Sequence, residues 1–164
     1  MMRSVSNRDA EQIAAIYNYY VEHTVVTFEE EIVSSAEITK RIEKVRALNL
    51  PWIVVEEQGA ILGYAYAGKW RERSAYRFSV ETTVYLAPDA HGRGLGTALY
   101  HELIEQLKAL NVNAVIGGVT LPNDASVALH EKVGMKKVGH FPEVGFKFDQ
   151  WFDVGFWQLN ITRP

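Results

Sequence analysis

Eight residues between a β-prone run and a helix carry the densest chemistry in the chain: Ala90-His91-Gly92-Arg93-Gly94-Leu95-Gly96-Thr97. Glycines let a backbone turn tightly and aim successive N–H groups at one point. A helix N-terminus adds about half a positive charge there. Together they cradle an anion, most naturally a pyrophosphate, and Arg93 can add a full charge and a two-pronged donor. The dinucleotide pattern G-x-G-x-x-G fails at Thr97, and the P-loop ending Gly-Lys-Ser/Thr is absent. On spacing alone, a glycine turn with no ligand explains these residues as well as phosphate binding does.

Two titratable residues stand out in apolar settings. Glu81 is the lone acid in Val80-Glu81-Thr82-Thr83-Val84-Tyr85. Burial there would raise its pKa into the range of a general base. The bland reading is a structural carboxylate paired with Arg77. His130 shares a helical face with Val127 and Val133, where a lone histidine is usually a satisfied core residue. Arg71, Arg73 and Arg77 cluster in one polar loop, and such residues are ordinarily solvated. Neither H-x-H nor H-E-x-x-H occurs among the five histidines, so no metal site is expected.

These residues need elements to hold them. Ile13, Ile16, Tyr17 and Tyr20 mark a helix over about 9–20, with Asn7 as its expected N-cap. Ser34 followed by Glu37 is a capping box for a second helix, buried through Ile38, Ile42 and Val45. Strands are expected over 52–56, 61–70 and 77–86, with Thr82, Val84 and Leu86 on one face and Glu81, Thr83 and Tyr85 on the other. Leu95, Leu99, Leu103, Leu107 and Leu110 stripe a strong helix after the glycine turn. A short strand over 114–119 follows, then a helix from Asn123 to about Val133, closed by Gly134. Residues 135–161 read as β-rich, their aromatic residues mostly core. The order is α, α, β, β, β, α, β, α, β, β: one α/β domain over 1–164, a mixed and mostly antiparallel sheet with helices on both faces and a central β-α-β unit.

Composition narrows the function. The chain has 164 residues, 48% hydrophobic and 23% charged, with a net charge of −3. That is globular composition, and it weighs against a general electrostatic grip on nucleic acid or an anionic membrane. Cysteine is absent, which excludes disulfides, thiolate metal sites and any cysteine nucleophile. No apolar run has transmembrane length, and residues 1–20 do not read as a secretory signal, so a cytoplasmic protein is expected.

The glycine turn resembles the acetyl-coenzyme A motif Q/R-x-x-G-x-G/A of the GNAT superfamily of N-acetyltransferases, with His91 in the first slot and glycines at 94 and 96. Asn123 to Met135 resembles that family's next helix, N-x-x-A-x-x-L-Y-x-x-x-G-F, with His130 in the tyrosine slot. His130, Glu81 and the ending from Gly145 to Leu159 are similar to the phosphinothricin and methionine sulfone branch. The resemblance implies acetyl-CoA as co-substrate and a small amino-acid-like acceptor. It implies Glu81 as the base and His130 as an acid or base near the thioester sulfur. Backbone amides of Val84, Tyr85 and Leu86 would pair with the pantetheine arm, the turn from His91 through Thr97 would hold the pyrophosphate, and Asn123 would contact the arm. Phe28 and Glu29 would border the acceptor pocket, with Arg71 and Arg73 binding a carboxylate and Lys147 assisting. The branch is commonly homodimeric. A coenzyme-binding domain without catalysis, or an acetyltransferase for a polyamine or protein amine, are the competing readings.

Overall fold

The computed structural model describes residues 1–162. Its elements are β1 (Met2–Ser4), α1 (Ala10–His23), α2 (Ser35–Ala47), β2 (Trp52–Glu57), β3 (Ala60–Lys69), β4 (Ser79–Leu86), α3 (Leu95–Ala109), β5 (Ala114–Leu121), α4 (Asp124–Lys132), β6 (Lys136–Lys147) and β7 (Gln150–Asn160). The expected order holds, with β1 added. Three residues carry too little pattern to be read as a strand, and β1 exists because it pairs with Ile53–Val55 of β2. Ser34 caps α2 as expected, accepting from the Glu37 N–H at 3.1 Å. Asn7 does not cap α1: it opens a single 3₁₀ turn, and Asp9 takes the cap position.

One seven-stranded sheet runs in the order β1-β2-β3-β4-β5-β7-β6. Every neighbouring pair is antiparallel except β4 and β5. Helices cover both faces, so the first four residues of β2, Trp52 to Val55, are all apolar and buried rather than alternating. Ile53 and Val55 join the core beneath α3, while Trp52 and Val54 join the core beneath α1 and α2. The leucine stripe seats α3: Leu99, Leu103 and Leu107 are fully buried. Truncating one of them, as in Leu103→Ala, should cost about 2–5 kcal/mol, lost transfer energy plus a cavity.

The sheet forks in its middle. β4 and β5 pair from Ser79↔Ala114 to Glu81↔Ile116 and no further, although both strands continue for five more residues. Ala87 N–H bonds to the Leu62 carbonyl on the β3 side. Alternation along an antiparallel strand therefore turns the amides of Val84 and Leu86 toward the open side. No helix among the described residues is long and apolar enough to cross a membrane.

Candidate active site

The fork opens into a cavity of about 790 Å³. Glu81 sits at its apex, the last residue of β4 to be paired with β5. Its carboxylate is half-buried, and desolvation pushes its pKa above the usual carboxylate value, while Arg71 pulls it partly back. Among the described residues it has no ion-pair partner. Arg77, the expected structural partner, instead donates to the Ser74 carbonyl at 3.1 Å and lies over the Phe78 ring. Gly118 on β5 lies beside the acid: a Cβ there would stand 3.7 Å from Glu81 Oε2 and 3.1 Å from the Phe156 ring.

His130 lines the same cavity from the opposite face of the sheet. It is 7% exposed, and both ring nitrogens are engaged: Nδ1 lies 2.6 Å from the Ser126 carbonyl oxygen and Nε2 lies 3.0 Å from the Tyr100 hydroxyl. Burial lowers its pKa, so the ring is neutral at physiological pH.

The glycine turn has the conformation its composition requires. Gly92 and Gly94 take φ of 79° and 75°, the left-handed region that side chains resist, and Gly94 is the N-cap of α3. Gly96 has ordinary φ but packs against Leu129, which ties α3 to α4. Of the turn, His91 and Gly96 line the cavity, whereas Gly92, Arg93, Gly94, Leu95 and Thr97 lie outside its lining. His91 Nε2 is 3.0 Å from the Tyr20 hydroxyl, which also donates to the Leu86 carbonyl. Arg93 pairs with Glu57 at 2.7 Å on the surface. Val84, Tyr85, Leu86 and Asn123 all line the cavity, and Asn123 Oδ1 caps α4 by accepting from Ser126 N–H at 3.1 Å.

The other end of the cavity is apolar, walled by Phe28, Phe141, Val144, Val154 and Phe156. Phe28 comes from the loop between α1 and α2, and its ring lies directly on Gly145, where any Cβ would overlap it. A bulge between Phe141 and Gly145 carries Val144 to this wall. Asp153 pins the bulge, accepting from Glu143 N–H at 2.8 Å.

Four residues expected at the acceptor pocket are placed elsewhere. Glu29 is held by Arg41 at 2.6 and 3.0 Å and by the Tyr17 hydroxyl, so it fastens the loop that presents Phe28. Lys147 is 1% exposed and donates to the Thr27 carbonyl at 2.9 Å, bracing that loop from below. Arg73 is exposed at the start of a 3₁₀ turn. Arg71 lies outside the lining too, over Trp70, which abuts the cavity-wall residue Phe156. The aromatic tail also departs from expectation. Only Trp157 is core, while Phe141, Phe146, Phe148 and Trp151 are about half exposed or more. Tyr100, Thr82 and Phe156 line the cavity although no motif announces them, and Gly117 packs beneath His130.

Comparison with known proteins agrees with this geometry. A model of the acetyltransferase (GNAT) domain matches residues 2–155. The phosphinothricin N-acetyltransferase of Alcaligenes faecalis is 40% identical over 98% of this chain and 82% of its own length. The L-methionine sulfoximine/L-methionine sulfone acetyltransferase of Salmonella typhimurium is 33% identical over 99% of this chain and 95% of its own. The solved phosphinothricin acetyltransferase of Sinorhizobium meliloti, in complex with acetyl-CoA, superimposes with a TM-score of 0.95 at 36% identity, covering 98% of this chain and 88% of that one. A forked sheet, a left-handed glycine turn at the head of α3 and matches of this extent place the chain in the GNAT family, as an N-acetyltransferase.

Proposed function

We propose that this enzyme moves an acetyl group from acetyl-CoA to the α-amine of a small amino-acid-like acceptor by direct attack in a ternary complex. The acceptor class is phosphinothricin, methionine sulfone or sulfoximine, or a related L-amino acid. The observation that carries the reading is Glu81: a desolvated carboxylate with no ion-pair partner among the described residues, at the apex of the fork. A structural carboxylate would be paired, and a mere coenzyme binder has no use for an acid kept free at that cost.

The chain's residues fit acetyl-CoA. Open amides on β4 offer the pantetheine arm a strand partner. The glycine turn and the α3 N-terminus offer donors to the pyrophosphate. Arg93 can join them, because its surface pair with Glu57 costs little to give up. Glu81 takes one proton from the acceptor's ammonium, directly or through a water. The freed amine forms the C–N bond at the thioester carbonyl, whose oxygen the Val84 N–H can polarise. The C–S pair leaves with sulfur, the nitrogen gives up its second proton as the amide forms, and the coenzyme departs as a thiol. With no cysteine in the chain, no thiol acyl-enzyme intervenes. His130 is the second proton-handling group, on the sulfur side. The apolar wall around Phe28 and Phe156 suits a compact amino-acid side chain better than a polyamine. We place the reaction in the cytoplasm, where acetyl-CoA is made and used.

The hairpin of β6 and β7 exposes Val138, Phe146, Phe148 and Trp151. Such a patch favours a homodimer through this hairpin, beside the cavity wall. Trp151→Glu should convert the dimer to a monomer by light scattering, and a wild-type monomer at micromolar concentration would refute the assembly.

Free thiol release from acetyl-CoA tests the reaction. Turnover with phosphinothricin or the methionine sulfone amino acids, exceeding that with spermidine or a short peptide, is the expected result. Release only with spermidine or peptide would overturn the acceptor class, and tight coenzyme binding without release on any amine would overturn catalysis.

A further inference from the structure

A buried chain of hydroxyls and one imidazole crosses the floor of the fork. Thr82 Oγ1 lies 2.8 Å from the Tyr100 hydroxyl, which lies 3.0 Å from His130 Nε2. His130 Nδ1 lies 2.6 Å from the Ser126 carbonyl oxygen. A carbonyl has no proton to give, so Nδ1 carries the hydrogen and donates. The neutral ring then keeps a lone pair only at Nε2, and the Tyr100 O–H donates to it. Thr82 O–H in turn faces the Tyr100 oxygen at 2.8 Å as its nearer acceptor, with the Ile116 carbonyl farther off at 3.4 Å. One fixed acceptor at the end of the chain thus sets the imidazole tautomer and the Tyr100 proton.

The ring also has a fixed seat. Tyr100 meets it edge-on at 5.3 Å between centroids. Beneath it lies Gly117 of β5, where a Cβ would stand 2.6 Å from both Cδ2 and Nε2 and 3.3 Å from the Tyr100 hydroxyl. Only a bare Cα lets imidazole and phenol meet there. Tyr100 is fully buried and 30 residues from His130 in sequence, and its hydroxyl has no other partner than this chain among the described residues.

We infer that Tyr100 is a positioning residue of the acetyltransferase: its hydroxyl, donated to His130 Nε2 above Gly117, fixes the orientation of the imidazole and keeps its basic nitrogen at the cavity floor. This rests on the reading of His130 as the second proton-handling group. It also explains how a histidine can occupy a slot that must meet the coenzyme while pointing neither nitrogen freely into solvent.

Tyr100→Phe removes one oxygen and keeps the buried ring. It should lower kcat about tenfold, the scale of one lost hydrogen bond, and leave KM for acetyl-CoA within about twofold. In a His130→Ala background the same substitution should have no further effect, because Tyr100 acts only through the imidazole. Multiplicative losses in the double variant, or an unchanged kcat in the single one, overturn the proposal. A second readout does not depend on turnover. The ¹⁵N resonance of His130 Nε2 should move downfield in Tyr100→Phe as its accepted hydrogen bond is lost. If His130→Ala alone leaves kcat intact, the reading of His130 fails by itself, and this resonance decides the placement of Tyr100: a shift supports it and an unmoved signal overturns it. Should Tyr100→Phe fail to fold, Thr82→Val removes the outer donor and should move the same resonance in the same direction by less.

Discussion

Glu81 and His130 face one cavity from opposite faces of the sheet, and their surroundings treat them in opposite ways. Glu81 is desolvated and has no ion-pair partner among the described residues, so burial raises its pKa while Arg71 opposes. His130 is desolvated and bonded at both nitrogens, so burial lowers its pKa and its neighbours hold it neutral. An unpaired acid with a raised pKa is built to exchange a proton with whatever enters the cavity. A neutral imidazole whose lone pair is already occupied by the Tyr100 hydroxyl is instead held in one orientation. On the function proposed above, that difference favours Glu81 as the group that takes the amine's proton and gives His130 the more protected role.

The largest effect should therefore fall on Glu81. Glu81→Gln should lower kcat by about 10²-fold or more, the scale of a lost general base. Activity needs the ionised form, so wild-type kcat/KM should fall as pH drops through a pKa above the usual carboxylate value, and the variant should lose that limb. An unchanged kcat across pH 6–9 would refute the assignment. The same substitution should raise Tm slightly at pH 7. A folded pKa above the unfolded one means that the ionised carboxylate opposes folding once pH exceeds the unfolded value, and glutamine removes that opposition.

His130→Ala should cost less, about tenfold in kcat. A loss equal to that of Glu81→Gln would erase the contrast between the two sides of the fork. A loss larger than it would reverse the contrast and make the bonded imidazole the principal proton carrier.

The two sides also differ in how visible they were beforehand. The glycine turn, the α3 leucine stripe and the fork strand are local patterns: left-handed turns need glycine, and a helix face needs its spacing. Glu81 stands out for a related reason, as one acid in an apolar strand, while its reading as a base comes from the family resemblance. The acceptor wall is not local. Phe28 and Gly145 meet from 117 positions apart, and Val144 arrives through a bulge that no alternation pattern encodes. The resemblance implies Lys147 and Glu29 at the pocket, and sequence shows a charge but not the partner that holds it elsewhere. Their partners, Thr27 and Arg41, are set by tertiary folding. Tyr100 reads as one more apolar position on α3 until α4 brings His130 against it.

A smaller effect sharpens the acceptor side. Phe28→Ala empties part of the apolar wall and frees the backbone of Gly145. It should raise KM for the amino acid severalfold, within the range of lost apolar contact, and leave KM for acetyl-CoA unchanged. Steady-state kinetics with methionine sulfone, varying each substrate in turn, would separate the two. A change confined to acetyl-CoA would place Phe28 on the coenzyme arm instead.

The smallest effect separates two arginines that sequence treats alike. Arg71 acts on Glu81 through its charge, holding the carboxyl's pKa below where burial alone would set it. Removing that charge in Arg71→Ala should move the acidic limb of kcat/KM to higher pH, so that activity at mildly acidic pH falls while the plateau stays. Added salt should shift the wild-type limb in the same direction, because the pair interacts across partly exposed space and is screened. Arg73 sits outside the cavity lining with its side chain toward solvent, and Arg73→Ala should leave the limb and both KM values in place. A pH–rate profile of the two variants side by side checks this. If both behave like Arg73→Ala, the field at Glu81 is set by burial alone. If Arg73→Ala raises KM for the amino acid, the loop reaches the acceptor's carboxylate in the ternary complex and the cavity closes further than its present walls suggest.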